Sequence, residues 1–509
     1  MKTKRSIYNL FFNLLSQIIT FAMSILIPRL FLVSLGSEIN GLVSSVGQVF
    51  SYVGLLEAGI GATAIQALYK PIAEKNQLQI NKILSASNKH YKKIGFIYIG
   101  CVIVVAIFYP IFVVSGIPNW QIVGVVIFSG LGNAINFLLQ QNYVVLLSAE
   151  GRGYVTTNLN LLVNVLASLT KAVLLLLGFN VVVITAAQFS FTLLRILLMQ
   201  IYIYKNYKWI NTKEEPDYSA LSKQKYVMVQ QLSYFIYSNT DILVLTVFCD
   251  LSVVSVYVIY NLIIGVIEGI VSAFTSSILF ALGQIYNEDF NEFKKVYVIY
   301  DSGYMTIVFM LFTVVYLCII PFLSVYTKGI TDANYLDHTL ALLFVILKMV
   351  TTLRSQSQNT INFAGHFKET QRSAILEAVI NIVVSLISVN YVGIYGVLIG
   401  SIVSTLYRGI DVTNYANRYI LKYDHIEKNK KYIRWVAYIA AFTVICFITN
   451  GVLSKNMANY YEWMCMAILC TIMSAIVYGV LWILIDRRVV MDAFEIVRSI
   501  IYYRKNMKK

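Results

Sequence analysis

The feature that most constrains this chain is a series of long apolar runs, each about the length of a helix that crosses a ~30 Å hydrocarbon core. Read with a window of roughly 19 residues, they fall near 8–34, 41–67, 94–115, 120–147, 155–178, 180–204, 226–249, 251–280, 296–323, 338–364, 372–392, 394–417, 433–453 and 460–485. Only 13% of the 509 residues are charged and 58% are hydrophobic, with a mean hydropathy of +0.70. A soluble chain carries about a quarter charged residues, because water must wet its surface. The expected fold class is therefore an all-α membrane protein of about fourteen transmembrane helices.

The net charge of +15 is distributed in a way that excludes a nucleic-acid surface. If the N-terminus is cytoplasmic and the segments alternate, roughly 32 of the 40 Lys and Arg lie on the cytoplasmic side. These include Lys2, Lys4 and Arg5, Lys82, Lys89, Lys92 and Lys93, Lys205 to Lys225, Lys422 to Arg434 and the tail from Arg487 to Lys509. Outside remain Lys328 and Lys455. This asymmetry is the positive-inside rule, and it orients both termini to the cytoplasm. The opening Met1–Arg5 and apolar run resemble a signal peptide, but the run is too long and lacks a small-residue cleavage site before Pro28-Arg29, so it reads as the first span. The six cysteines lie in or at the ends of spans without a Cys-x-x-Cys pair, and read as small core hydrophobes.

Residues 213–217 positions apart repeat. Gln141-Asn142 recurs as Gln358-Asn359, Asn164 as Asn381 and Ser168 as Ser385; Thr192-Leu193-x-Arg195 recurs as Thr405-Leu406-x-Arg408, and Ala67-Leu68 as Ala281-Leu282. An even number of spans separates the copies, so both insert in the same direction. The expected organisation is a six-helix lobe over 1–210, a parallel copy over 211–425 related by a pseudo-twofold axis along the membrane normal, and two appended helices with a basic tail over 426–509.

Catalytic signatures are missing. There is no P-loop, no H-E-x-x-H, no metal-ligand spacing among His90, His338, His366 and His425, and no G-x-S-x-G elbow. No enzyme activity, cofactor or metal is expected. The chemistry rests instead on charges inside the spans, each costing about 3 kcal/mol at the bilayer centre unless it meets a partner or a wet cavity. The bases are Arg29, Lys171, Arg195, Lys348, Arg354 and Arg408; the acids are Glu57, Asp241, Glu268, Asp301, Glu377 and Asp411. Arg195 and Arg408 hold equivalent places in the two copies, each ten residues before a cytoplasmic base (Lys205, Arg418), hence roughly 15 Å deep along a helix. Two such arginines suit bidentate recognition of phosphate or pyrophosphate. The competing reading is structural pairing, since Arg408 has Asp411 one turn away. Arg29, Lys348 and Arg354 join the two as headgroup-binding candidates. Glu57, Asp241 and Glu268 are candidates for ion coupling, with helix–helix hydrogen bonding as the alternative.

The run Pro28-Arg29-Leu30, Gly36-x-Glu38-x-Asn40-Gly41-Leu42, Leu56-Glu57-x-Gly59-x-Gly61 and Leu68-Tyr69-Lys70-Pro71 resembles polysaccharide-biosynthesis flippases. Their superfamily also holds the multidrug and toxin extrusion exporters, the oligosaccharidyl-lipid flippases and the lipid II flippase. The resemblance covers essentially the whole chain. It implies a monomer in a bacterial plasma membrane that carries undecaprenyl-pyrophosphate-linked oligosaccharide from the inner to the outer leaflet. The polyprenyl tail would stay among the membrane lipids, and the pathway's glycan polymerase and glycosyltransferases would be partners. Balanced charges in the spans depart from the strongly basic cavity of the lipid II branch and favour a capsule, O-antigen or similar repeat unit. A cation-coupled exporter of small molecules is the alternative, and a membrane glycan polymerase or ligase a weaker one, because the outside loops are short.

The orientation has a direct check. A cysteine replacing Lys455 should react with an impermeant maleimide on intact cells, and one replacing Lys213 should react only after lysis; the reverse pattern would overturn the assignment.

Overall fold

The computed structural model describes residues 2–57, 60–113, 115–218, 235, 239–366, 368–423, 425–449, 457 and 459–495. Most of the span expected at 226–249, the end of that expected at 433–453, Gly59, Lys223, Lys225, Lys455 and the tail beyond Glu495 lie outside them. Among the described residues every regular element is a helix, and eleven helices are long and apolar enough to cross a membrane. In lipid an open strand edge would leave backbone groups without partners, whereas a helix satisfies them within itself. The protein is a multi-pass α-helical membrane protein.

The chain divides into two compact units. The first comprises Met1–Ile259 with Gly329–Ala333, and the second Tyr260–Lys328 with Asn334–Lys509.

The first unit begins with α1 (Lys2–Gly54), which breaks at Gly36, where φ is +83°. The break frees the Ser37 amide, and the Asp332 carboxylate takes it at 2.6 Å and the Ser37 hydroxyl at 2.7 Å. An anion at the start of a helical segment is favoured by the orphan N–H groups and the helix dipole. The two helical segments on either side of Gly36 correspond to the spans expected at 8–34 and 41–67, and a kink at Gly36 joins them. A 3-10 turn at Leu55–Glu57 then ends the second segment before α2 (Ile60–Ala73). Next come α3 (Gln77–Phe112), α4 (Asn119–Leu139), α5 (Gln141–Ala149), α6 (Gly153–Leu176), α7 (Val181–Asn206) and α8 (Asn239–Phe248). The polar stretch 68–93 is helical, forming the end of α2 and the start of α3, which Asn76 caps by accepting from the Gln79 amide at 3.0 Å. The segment after α7 lies along this end of α3: Asn81 bonds Trp209 and Asn211, Ser85 donates to the Glu214 carbonyl and Gln79 to Asp217.

Helix α9 (Leu251–Glu288) carries the chain from the first unit into the second at Ile259–Tyr260. The second unit continues with α10 (Phe290–Tyr326), α11 (His338–Ala364), α12 (Gln371–Val392), α13 (Ile394–Tyr415), a π-helical turn at Ala416–Ile420, α14 (His425–Thr449) and α15 (Tyr460–Ile485). Helices α12 and α13 form a tight hairpin through Gly393, whose φ is +56°. Gly396 and Gly400 face α12 so closely that a Cβ on either would come within 2.7 Å of the Val389 or Ser385 nitrogen. This small-xxx-small contact lets Asn381 donate to Ser401 at 2.8 Å, a polar bond of the kind that holds helices together where lipid offers no hydrophobic drive. Helix α10 is buried along most of its length because the appended pair packs on it. Tyr438 meets Thr306 at 2.7 Å, Tyr478 meets Thr313 at 2.9 Å, and Trp463 donates to the Cys318 carbonyl at 3.0 Å. The six cysteines are free thiols.

Candidate substrate and coupling sites

In the first unit two helix interruptions meet. The 3-10 turn ends at Glu57, and the α4–α5 join sits at Gln140. Gln141, the first residue of α5, donates to Glu57 Oε1 at 2.7 Å, and the Tyr91 hydroxyl donates to the same oxygen at 3.4 Å. A hydrogen on Gly61 in place of a methyl leaves room for the carboxyl, since a Cβ there would come within 3.2 Å of Glu57 Oε1. Glu57 therefore has neutral donors and no ion pair among the described residues. Interrupted membrane helices expose backbone groups that tolerate polar company, which is why transporter sites gather there.

Arg195 on α7 lies in the same unit. Its guanidinium reaches Asn160 Oδ1 on α6 at 3.5 Å and Asn136 Oδ1 near the end of α4 at 3.3 Å, and its Nε has no acceptor among the described residues. One turn and a half along α7, Gln200 donates to the Leu139 carbonyl at 2.6 Å, covering an acceptor that the α4–α5 break leaves open. Asn142 also keeps a buried NH2 group without an acceptor among the described residues, although its oxygen accepts from Ser87. Lys171 on α6 rests over the Phe31 ring, 5.4 Å from its centre, and has no carboxylate partner among the described residues. Arg29 is half-buried on α1, seven residues before the Gly36 break. Asp241 on α8 is buried and accepts from the Tyr257 hydroxyl at 2.7 Å.

The second unit resolves its charges differently. Arg354 on α11 pairs with Glu377 on α12, and Arg408 on α13 lies 3.8 Å from the other oxygen of the same carboxylate. Arg408 also reaches Asp411 at 3.3 Å, the Thr370 carbonyl at 3.1 Å, Gln358 at 3.2 Å and the Ser373 hydroxyl. Its guanidinium is buried and its donors are occupied. Lys348 pairs with Glu268 at 3.1 Å, with both side chains partly exposed. The structure thus brings Arg354 and Arg408 together and places Lys348 in a separate pair on the same helix.

The contrast between the copies turns on one position. Asn160 and Glu377 are 217 residues apart, the same spacing as Asn164 and Asn381. Both contact the repeat-related arginine of the following helix. The second copy offers that arginine a carboxylate and the first offers an amide, so Arg195 has no carboxylate partner among the described residues. Sequence reasoning singled out the arginines but not Asn160, Asn136 or the Glu57–Gln141 bond. The signal available for Asn160 was its repeat position, opposite an acid in the other copy.

Comparison with solved structures follows this architecture. The lipid II flippase MurJ in an inward closed conformation superposes with a TM-score of 0.67, covering 93% of this chain and 99% of its own at 13% identity. An inward-facing multidrug resistance MATE family transporter of the MOP superfamily gives a TM-score of 0.59, covering 79% of this chain and 95% of its own at 18% identity. This chain shares the fold of these two structures. A MATE protein in complex with MaD3S gives 0.51 over 80% of this chain and 95% of its own, at 20% identity. The sequence itself matches no protein-family model and no curated protein. These structural neighbours are flippases and transporters rather than enzymes.

The Arg354–Glu377–Arg408 triad generates a stability prediction. Glu377→Ala removes the carboxylate that the Arg354 and Arg408 guanidiniums share, and should lower stability by roughly 3 kcal/mol or more, seen as an early melting transition of the detergent-purified protein. Glu377→Gln, which keeps one acceptor, should fall between. An unchanged melting temperature in the alanine variant would contradict the role given to the triad.

Proposed function

We propose that this protein is a flippase that moves an undecaprenyl-pyrophosphate-linked oligosaccharide repeat unit from the inner to the outer leaflet of a bacterial plasma membrane, for cell-surface polysaccharide synthesis. The observation that carries the reading is Arg195, a membrane-embedded guanidinium held, among the described residues, by long bonds to two amides. A cation kept at this depth without a carboxylate is costly, and a transient phosphate of the passing headgroup would offset that cost with charge-assisted hydrogen bonds. The neighbouring fold of a lipid II flippase over nearly the whole chain supports the class of cargo. Arg29 and Lys171, in the same unit, would add cationic contacts along the route. Arg354, Arg408 and Lys348, already joined to carboxylates, would contact cargo only by exchanging those partners.

Movement would follow alternating access between the duplicated lobes, with both termini in the cytoplasm. Glu57, at the meeting of two helix breaks and bonded to neutral donors among the described residues, is the strongest of the ion-coupling candidates; Asp241 has its tyrosine, and Glu268 its lysine. Glu57 also favours a second reading, a cation-coupled exporter of small molecules, in keeping with the multidrug transporter fold. That reading requires dye efflux that Glu57→Gln abolishes. The first requires lost glycan export without any efflux phenotype. Membrane polymerases and glycosyltransferases would act before and after the carrier as partners.

The test adds to the first copy the carboxylate that the second copy has. Asn160→Asp should neutralise Arg195 while leaving membrane insertion and melting temperature intact or improved, and should reduce surface glycan display roughly tenfold, as should Arg195→Ala. Normal display by both variants, at normal protein levels, would remove the phosphate-clamp reading.

A further inference from the structure

A second cluster of charge lies in the C-terminal unit, where one end of α10 meets α14 and α15. A cavity of ≈ 340 Å³ opens there. Its floor is an ion network: Lys431 Nζ lies 3.2 Å from Asp301, and Arg434 lies 3.8 Å from Asp301 and 2.6 Å from Asp486. Asp486 is oriented in turn by the Ser302 hydroxyl, which donates to it at 2.7 Å and accepts from the Trp482 indole at 2.8 Å. Two cations therefore meet two carboxylates, and their charges balance.

The rim is not neutral. Lys430, Arg487 and Arg488 also line the cavity, all three are exposed, and none makes an ion pair among the described residues. Among the described residues, the acids lining the opening are Asp301 and Asp486, which pair with Lys431 and Arg434 instead. Val298, Leu484 and Ile485 supply apolar wall beside them. A soluble anion needs the charges alone; a group that is anionic at one end and apolar at the other needs both. The opening also lies at the helix ends that the distribution of Lys and Arg assigns to the cytoplasmic surface, where anionic lipids draw basic groups.

We propose that this pocket binds the phosphate of an anionic phospholipid from the cytoplasmic leaflet, with Lys430, Arg487 and Arg488 holding the phosphate and the apolar wall taking the first methylenes. The appended helix pair is then a lipid-anchored support for α10, in addition to a packing partner. The site is distinct from the Arg195 region of the first unit. Its assignment to the inner leaflet rests on the orientation read from charge, whereas its binding chemistry does not depend on transport.

Native mass spectrometry of the detergent-purified full chain, titrated with phosphatidylglycerol or phosphatidylcholine, tests it without any transport assay. The native chain should retain phosphatidylglycerol in preference to phosphatidylcholine. The triple variant Lys430→Gln, Arg487→Gln, Arg488→Gln should retain it roughly tenfold less. A charge-keeping variant, Arg487→Lys with Arg488→Lys, should retain it almost fully, which separates lost charge from lost folding. Equal retention of both lipids by the native chain, or undiminished retention by the triple variant, would overturn the proposal. Displacement of the bound lipid by millimolar inorganic phosphate would reassign the pocket to a free anion and overturn the lipid assignment.

Discussion

The interaction on which this architecture depends is the neutralisation, or deliberate non-neutralisation, of ionised side chains in a hydrocarbon solvent. Each such charge costs about 3 kcal/mol or more at mid-membrane, so its surroundings must answer for it. The second unit answers with carboxylates. Glu377 stands between Arg354 and Arg408, and Asp301 and Asp486 stand between Lys431 and Arg434. The first unit answers with amides, hydroxyls and an aromatic face around Arg195, Glu57 and Lys171. The two units are in this way chemically asymmetric: the second pairs its charges with carboxylates, and the first, among the described residues, sets these three among neutral groups.

That asymmetry coincides with irregular backbone. The first unit is where α1 breaks at Gly36, where a 3-10 turn ends at Glu57 and where α4 and α5 part at Gln140. The corresponding stretch of the second copy, around Gln358, runs through α11 without interruption. Breaks cost hydrogen bonds that a continuous membrane helix would keep, and they persist where side chains such as Asp332 and Gln200 re-satisfy the freed groups. The small-residue hairpin of α12 and α13 and the tyrosine–threonine bonds of the appended pair serve rigidity instead.

Much of this was legible in the chain before any coordinates. Apolar runs of span length and the positive-inside bias state the helical membrane class directly, because hydrocarbon thickness and surface potential act on local sequence. The repeat placed Arg195 and Arg408 at matching positions, and the one-turn spacing placed Asp411 beside Arg408. Other features stayed hidden because they join residues distant in sequence. Nothing local to Arg354 announces Glu377, and nothing local to Glu57 announces Gln141, 84 positions away. The start of the helical segment after the Gly36 break is capped by Asp332, 295 positions on, which accepts from the Ser37 amide. Counting acids and bases over all spans gave a balance that conceals the division between units, since pairing is a matter of neighbours rather than totals.

The central claim, that a headgroup carrying phosphate crosses the membrane through this protein, is tested most directly by the leaflet in which lipid-linked sugars accumulate when the chain is removed from its native cell. Impermeant oxidation or lectin labelling of intact spheroplasts, compared with lysed ones, measures it. The account predicts accumulation on the cytoplasmic face, with labelling appearing only after lysis. Lipid-linked sugars still reaching the outer face at the normal rate would contradict it.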